Sequence, residues 1–133
     1  MDLGADVGTE VRAAFDGHIT RLNPHTPSHD TSSVYGAQLF MRSRNNKMGA
    51  FYTHITDVPS GLHAGSGISR GQRLGQVLPG HPSHLHMALV EIIDGAPRSR
   101  YMGMNLFSQV LSIARTASVV TVTFHQDGSQ PTV

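Results

Sequence analysis

Up to about residue 97, glycine, proline, asparagine, aspartate and serine cut the chain into apolar runs of strand length, which suit strands better than packed helices. Residues 10–22 hold a strand, a turn at Asp16 and Gly17, and the start of a second strand. Residues 23–33, with two prolines and two histidines, read as a polar loop. The runs 34–42 and 49–55 flank Arg44, Asn45, Asn46 and Lys47, which suggests a hairpin. Strand-like runs at 68–78 and 84–93 complete the set. The expectation is a mainly β domain, an antiparallel sheet or sandwich with loops gathered around one groove. Gly17, Gly71 and Gly75 are expected at its tight turns.

After residue 97 the period changes. Leu106, Val110 and Ile113 fall at i, i+4 and i+7, the stripe of a helix over 105–114. Val120, Val122 and Phe124 then alternate as in a strand over 118–125. Residues 98–133 are therefore expected to form a helix–strand extension packed on the 1–97 domain, ending in a polar tail. At 133 residues, length alone favours one domain with a modest core.

Within the last long run, Ser83-His84-Leu85-His86-Met87 carries the most chemistry. Side chains alternate along a strand, so His84 and His86 share a face with Cα atoms about 6.5–7 Å apart. One could ligate a metal while the other reaches a substrate bound to it. An isolated pair of this kind is as readily two half-exposed strand histidines, and His54 in Phe51-Tyr52-Thr53-His54-Ile55 is as readily a core-edge histidine with a satisfied hydrogen bond. Tyr52 reads as packing or groove lining. His18, His25, His29, His63, His81 and His125 sit at turns, in the polar loop or in the C-terminal strand, with no ligand spacing among them.

Composition narrows the chemistry. The formal net charge is +1, with three tyrosines and no tryptophan, so neither a basic field nor a base-stacking surface points to a nucleic-acid partner. There is no cysteine, which excludes disulfides and thiolate metal sites and leaves His, Asp or Glu as ligands. No apolar segment approaches the roughly 20 residues that span a bilayer. Gly65-Ser66-Gly67 lacks the Lys-Ser/Thr and the strand–helix setting of a phosphate loop. Ser83 has no acid–base partners in triad order.

Five short elements, in one order, give the chain a family likeness. Met1-Asp2-Leu3-Gly4 matches the latter part of H-x-G-u-D-u-G, where u is apolar. GTEVRAAFDG at 8–17 matches G-T-x-V-x-A-x-x-D-G. Tyr52-Thr53-His54 supplies Y-x-H, GQRLG at 71–75 supplies G-x-x-u-G, and His84-Leu85-His86 supplies the closing H-L-H. In these elements the chain resembles the lysostaphin-type (LytM-like) zinc metallopeptidases, which cleave peptide cross-links of peptidoglycan. The resemblance implies their duplicated hybrid-motif β fold and Zn2+ as cofactor. It makes Asp2 and His86 metal ligands, and His54 and His84 catalytic groups beside the attacking water. The family's first ligand, a histidine four positions before the aspartate, would fall ahead of Met1. A start three residues too late, by truncation or a mis-assigned start, is one expectation; a damaged metal site is the other.

The function implied is a zinc-dependent endopeptidase hydrolysing peptidoglycan stem peptides or cross-bridges, working in the periplasm or at the extracellular cell wall. A secreted toxin domain is one context for it. No charged-then-apolar start resembles a signal peptide, so export information is expected upstream or by another route. The alternative is a non-catalytic domain of the same fold, with an incomplete zinc site, that binds wall or activates another hydrolase. A sugar-phosphotransferase-type domain, with a related β architecture and paired histidines, fits H-L-H and Y-x-H less well.

Overall fold

A computed structural model describes residues 1–31, 35–80, 82–94 and 100–104. The helix expected over 105–114 and the strand over 118–125 lie outside these described residues. Within them are nine strands: β1 Asp2–Gly4, β2 Glu10–Arg12, β3 Gly17–Asn23, β4 Ala37–Ser43, β5 Met48–Thr56, β6 Gly67–Ile68, β7 Arg73–Val77, β8 His84–Ile93 and β9 Arg100–Gly103. A single 3-10 turn, Pro27–His29, interrupts the loop between β3 and β4. No helix among the described residues is long and apolar enough to cross a membrane.

Every described pairing is antiparallel, in the order β1-β8-β5-β4-β3-β6, with β9 continuing the β1 edge of β8 and β7 joining β5 to β2. The mainly β, antiparallel architecture expected from the punctuation is the one observed. Alternation sets the faces: Ala37, Leu39, Met41 and Ser43 of β4 are buried while Gln38, Phe40 and Arg42 are half-exposed. Ala37, Leu39 and Met41 join Val11, Ile19, Tyr52, Ile55, Leu74 and Val77 in one core. Tyr52 is fully buried, and its hydroxyl accepts the Ala14 N–H at 3.0 Å, tying the β2–β3 connection to the core. Burial pushes that hydroxyl up to about 12, against a small opposing effect of the Ala14 hydrogen bond, so it stays protonated.

The hairpin at residues 44–47 joins β4 to β5, with Asn46 at φ 57°. Asparagine is among the few residues that enter that region readily. The strand-like run 68–78 divides in two. Ser69 and Gln72 close a turn (Gln72 N–H to Ser69 O, 3.0 Å) through Gly71 at φ +80°, which sends β6 to β3 and β7 to β2 and β5. Gly17 serves close packing within β3 and not a turn: a Cβ there would lie 1.9 Å from the Arg42 carbonyl oxygen.

Candidate functional site

The site begins where the first strand meets the eighth. In the antiparallel register Asp2 stands opposite His86 and Gly4 opposite His84. Directly opposed residues of a ladder are close enough for their side chains to meet. Here the Nδ1–H of His86 donates to Oδ1 of Asp2 at 2.5 Å. Burial raises the Asp2 carboxyl, but the His86 hydrogen bond and the charges of His86 and His84 outweigh it and hold the group below its ordinary range. Both side chains keep substantial exposure, 51% for Asp2 and 38% for His86, so solutes reach them.

The third strand of the site, β5, brings His54 by a different device. From Met48 to Thr53 it pairs with β8, and from Ile55 onward with β7. On its other side Ala37 faces Ile55 and Leu39 faces Tyr52, so Gln38 alone spans both Thr53 and His54. This is a one-residue bulge, and His54 occupies it at φ 63°. Regular alternation from Tyr52 would send His54 into the core. The extra residue turns its ring to 4.6 Å from the His84 ring and 6.0 Å from the His86 ring, centroid to centroid.

Two backbone carbonyls then set the proton positions. A carbonyl oxygen only accepts, so Nδ1 of His54 carries the hydrogen it gives to Tyr35 O at 3.0 Å, and Nδ1 of His84 carries the one it gives to Pro82 O at 2.8 Å. In each neutral ring Nε2 is left with its lone pair. Burial lowers the His54 pKa; the Tyr35 carbonyl and Asp2 pull the other way, while His84 and His86 add to the lowering, and the net value lies below 6.5. His54 is therefore neutral at neutral pH. The arrangement can take a proton at Nε2 of either ring beside a carboxylate–imidazole pair.

Asp2, His54, His84 and His86, the four residues expected from the sequence, are thus gathered in one place. Tyr35 was not among them. Its ring stacks on His54 at 3.9 Å and 17°, and stands edge-on to His84 at 6.2 Å. It sits in a loop between strands, with no periodicity or spacing to mark it. Two other histidines are engaged elsewhere: Nε2 of His25 is 3.0 Å from Asp30 Oδ2, and Nδ1–H of His63 donates to Ala64 O at 2.9 Å.

The donors suit zinc in kind, a carboxylate oxygen and imidazole nitrogens, but their number is short. A catalytic zinc holds three protein ligands and keeps one position open. Among the described residues no group of three or more His, Asp or Glu side chains is placed to hold a metal. Asp2 and His86, joined by their hydrogen bond, are two side chains of the donor types zinc takes.

Comparison with known proteins agrees with the fold. No protein-family profile matches the chain, and no curated protein sequence matches it. Among solved structures, the catalytic domain of the antimicrobial peptidase lysostaphin from Staphylococcus simulans is 16% identical, with TM-score 0.59 over 83% of this chain and 76% of that one. A solution structure of lysostaphin is 14% identical, with TM-score 0.61, over 96% of this chain but only 51% of the other. A point variant of the catalytic domain of the prophage-encoded protein EnpA from Enterococcus faecalis is 19% identical, with TM-score 0.51, over 76% and 71%. At these identities the likeness is one of architecture, and the chain has the lysostaphin-like peptidase fold.

Proposed function

We propose that this domain is a zinc-dependent endopeptidase that hydrolyses peptide bonds in peptidoglycan stem peptides or cross-bridges, in the periplasm or at the extracellular cell wall. The observation that carries the reading is the bulge at His54. It spends an unfavourable backbone conformation, typically about 1–2 kcal/mol for a residue with a Cβ, on bringing one imidazole beside two others. Strain of that kind in a strand otherwise regular on both sides is characteristic of a working site.

In this reading Asp2 and His86 would be two of the three protein donors that a catalytic zinc takes. When bound, the ion would supply Lewis acidity at the scissile carbonyl and a water of pKa about 7. His54, kept neutral by its burial, would take the proton of the attacking water at Nε2 and return it to the amine nitrogen as the C–N bond breaks. His84 would stand with its Nε2 beside the attacking water and the carbonyl, while Pro82 O keeps its other nitrogen occupied. The second reading, a non-catalytic wall-binding or hydrolase-activating module, is favoured by the lack, among the described residues, of three metal-binding side chains placed together.

Zinc content and wall digestion separate the two readings. The chain Met1–Val133 is compared with one extended ahead of Met1 by His-Xaa-Gly, which restores the H-x-G-u-D spacing. The endopeptidase reading expects about one zinc per extended chain, release of peptides with new amino termini from peptidoglycan, and loss of that release in His84→Ala. An extended chain that binds zinc and wall but cleaves nothing supports the module.

A further inference from the structure

Tyr35 touches the site in more ways than any residue outside the four already assigned. We propose that Tyr35 is the positioning residue of His54: its carbonyl fixes which nitrogen is protonated, its ring fixes the imidazole plane, and Gly80 is the space that admits the ring. This rests on the proposed function only for the consequence on rate. The positioning itself is a property of the chain alone.

A left-handed φ places the His54 Cα and Cβ but leaves the ring free to turn about its last torsion, which is broad for histidine. Two contacts remove that freedom. The 3.0 Å hydrogen bond to Tyr35 O assigns the proton to Nδ1, and the 3.9 Å stack holds the plane. Both come from one residue, so the imidazole is clamped at its edge and on its face by a single support.

The surroundings of Tyr35 are shaped to keep it there. Its neighbour Gly36 has φ +79°, and a Cβ at that position would lie 2.8 Å from the Ile55 carbonyl oxygen. The chain after Tyr35 thus packs against β5 one residue beyond His54, which brings the Tyr35 carbonyl onto the imidazole. The Gly36 N–H is held by Oδ1 of Asp30 at 3.0 Å. From the other side, a Cβ on Gly80 would lie 2.7 Å from the Tyr35 hydroxyl oxygen and 3.1–3.2 Å from two ring carbons. The atoms it would meet belong to a side chain, so Gly80→Ala moves the Tyr35 ring and leaves the backbone in place.

The experiment reads the His54 tautomer by long-range proton–nitrogen NMR on the metal-free protein, in wild type, Tyr35→Phe, Tyr35→Ala and Gly80→Ala. Wild type and Tyr35→Phe, which retains both the carbonyl and the stack, are expected to show His54 protonated at Nδ1 alone. Tyr35→Ala and Gly80→Ala keep the residue-35 carbonyl but lose the stack that holds the imidazole plane in line with it, so both are expected to show averaging between the two tautomers. Wild-type nitrogen shifts at His54 in both alanine variants would overturn the proposal; Gly80→Ala decides it if Tyr35→Ala does not fold. In a cleaving protein, Tyr35→Ala and Gly80→Ala should lower kcat about tenfold with KM within about twofold, and Tyr35→Phe should stay within about twofold of wild type. Absence of cleavage by all four proteins in the zinc-loaded form extended by His-Xaa-Gly would count against the endopeptidase reading, while the tautomers would still decide the role of Tyr35.

Discussion

His54 combines a left-handed backbone, a nearly complete burial of 5% exposure and an imidazole held neutral, and each has a measurable consequence. Its folded-state pKa lies below the ordinary 6.5, so between the two values the unfolded chain binds a proton that the folded chain refuses. Stability from this group is therefore complete above about pH 6.5 and declines as the pH falls through the folded pKa. Asp2, also lowered, has the same sign at more acid pH, where its loss begins below the ordinary 3.8. Urea unfolding of the metal-free protein at pH 7.5 and 5.5 should show wild type losing more stability than His54→Gln. Equal losses would mean that His54 is no more buried to protons than a surface histidine. Asp2 and the two histidines of β8 were legible from motif order. Tyr35 was not, because a stacking contact made by a loop leaves no period in the sequence.

At the scale of the element, strands were legible wherever alternation was regular. The run 84–93 is β8 to the residue, and β4 and β5 fall within a few residues of their expected runs. The bulge was not legible, since it lies in the register against β4 at the point where β5 exchanges β8 for β7, and no local pattern announces either pairing. The same bulge buries Thr53 at 5% exposure with no hydrogen-bond partner for its Oγ1 among the described residues. A buried hydroxyl without a partner costs about 1–3 kcal/mol, and valine replaces it with a methyl group of similar shape and β-branching. Thr53→Val is thus expected to stabilise the domain by about 1 kcal/mol, read as a higher denaturant midpoint at unchanged slope. A destabilised variant would show that the hydroxyl has a partner in solution, and would make Thr53 part of the polar site.

Across the whole molecule, the site is a meeting of remote parts. Asp2 and His86 are 84 positions apart, and β1 is a three-residue strand whose only strand partner among the described residues is β8. Short strands at a sheet edge open most readily, because few contacts must break. A ligand that binds only the closed register stabilises it by mass action, about 2.7 kcal/mol at a hundred times its dissociation constant. Zinc held by Asp2 and His86 would therefore be felt first as a staple on β1. Hydrogen exchange of the amides of residues 2–5 and 84–87 should slow when zinc is added, while those of β3 and β4, far across the sheet, keep their rates. Asp2→Ala should abolish the difference. Uniform slowing across all strands would place the metal elsewhere, and no slowing would mean that two donors are too few to hold it. The local pattern separates a metal that closes this site from one that merely binds surface histidines, since of the chain's nine histidines only His84 and His86 lie in the protected segments.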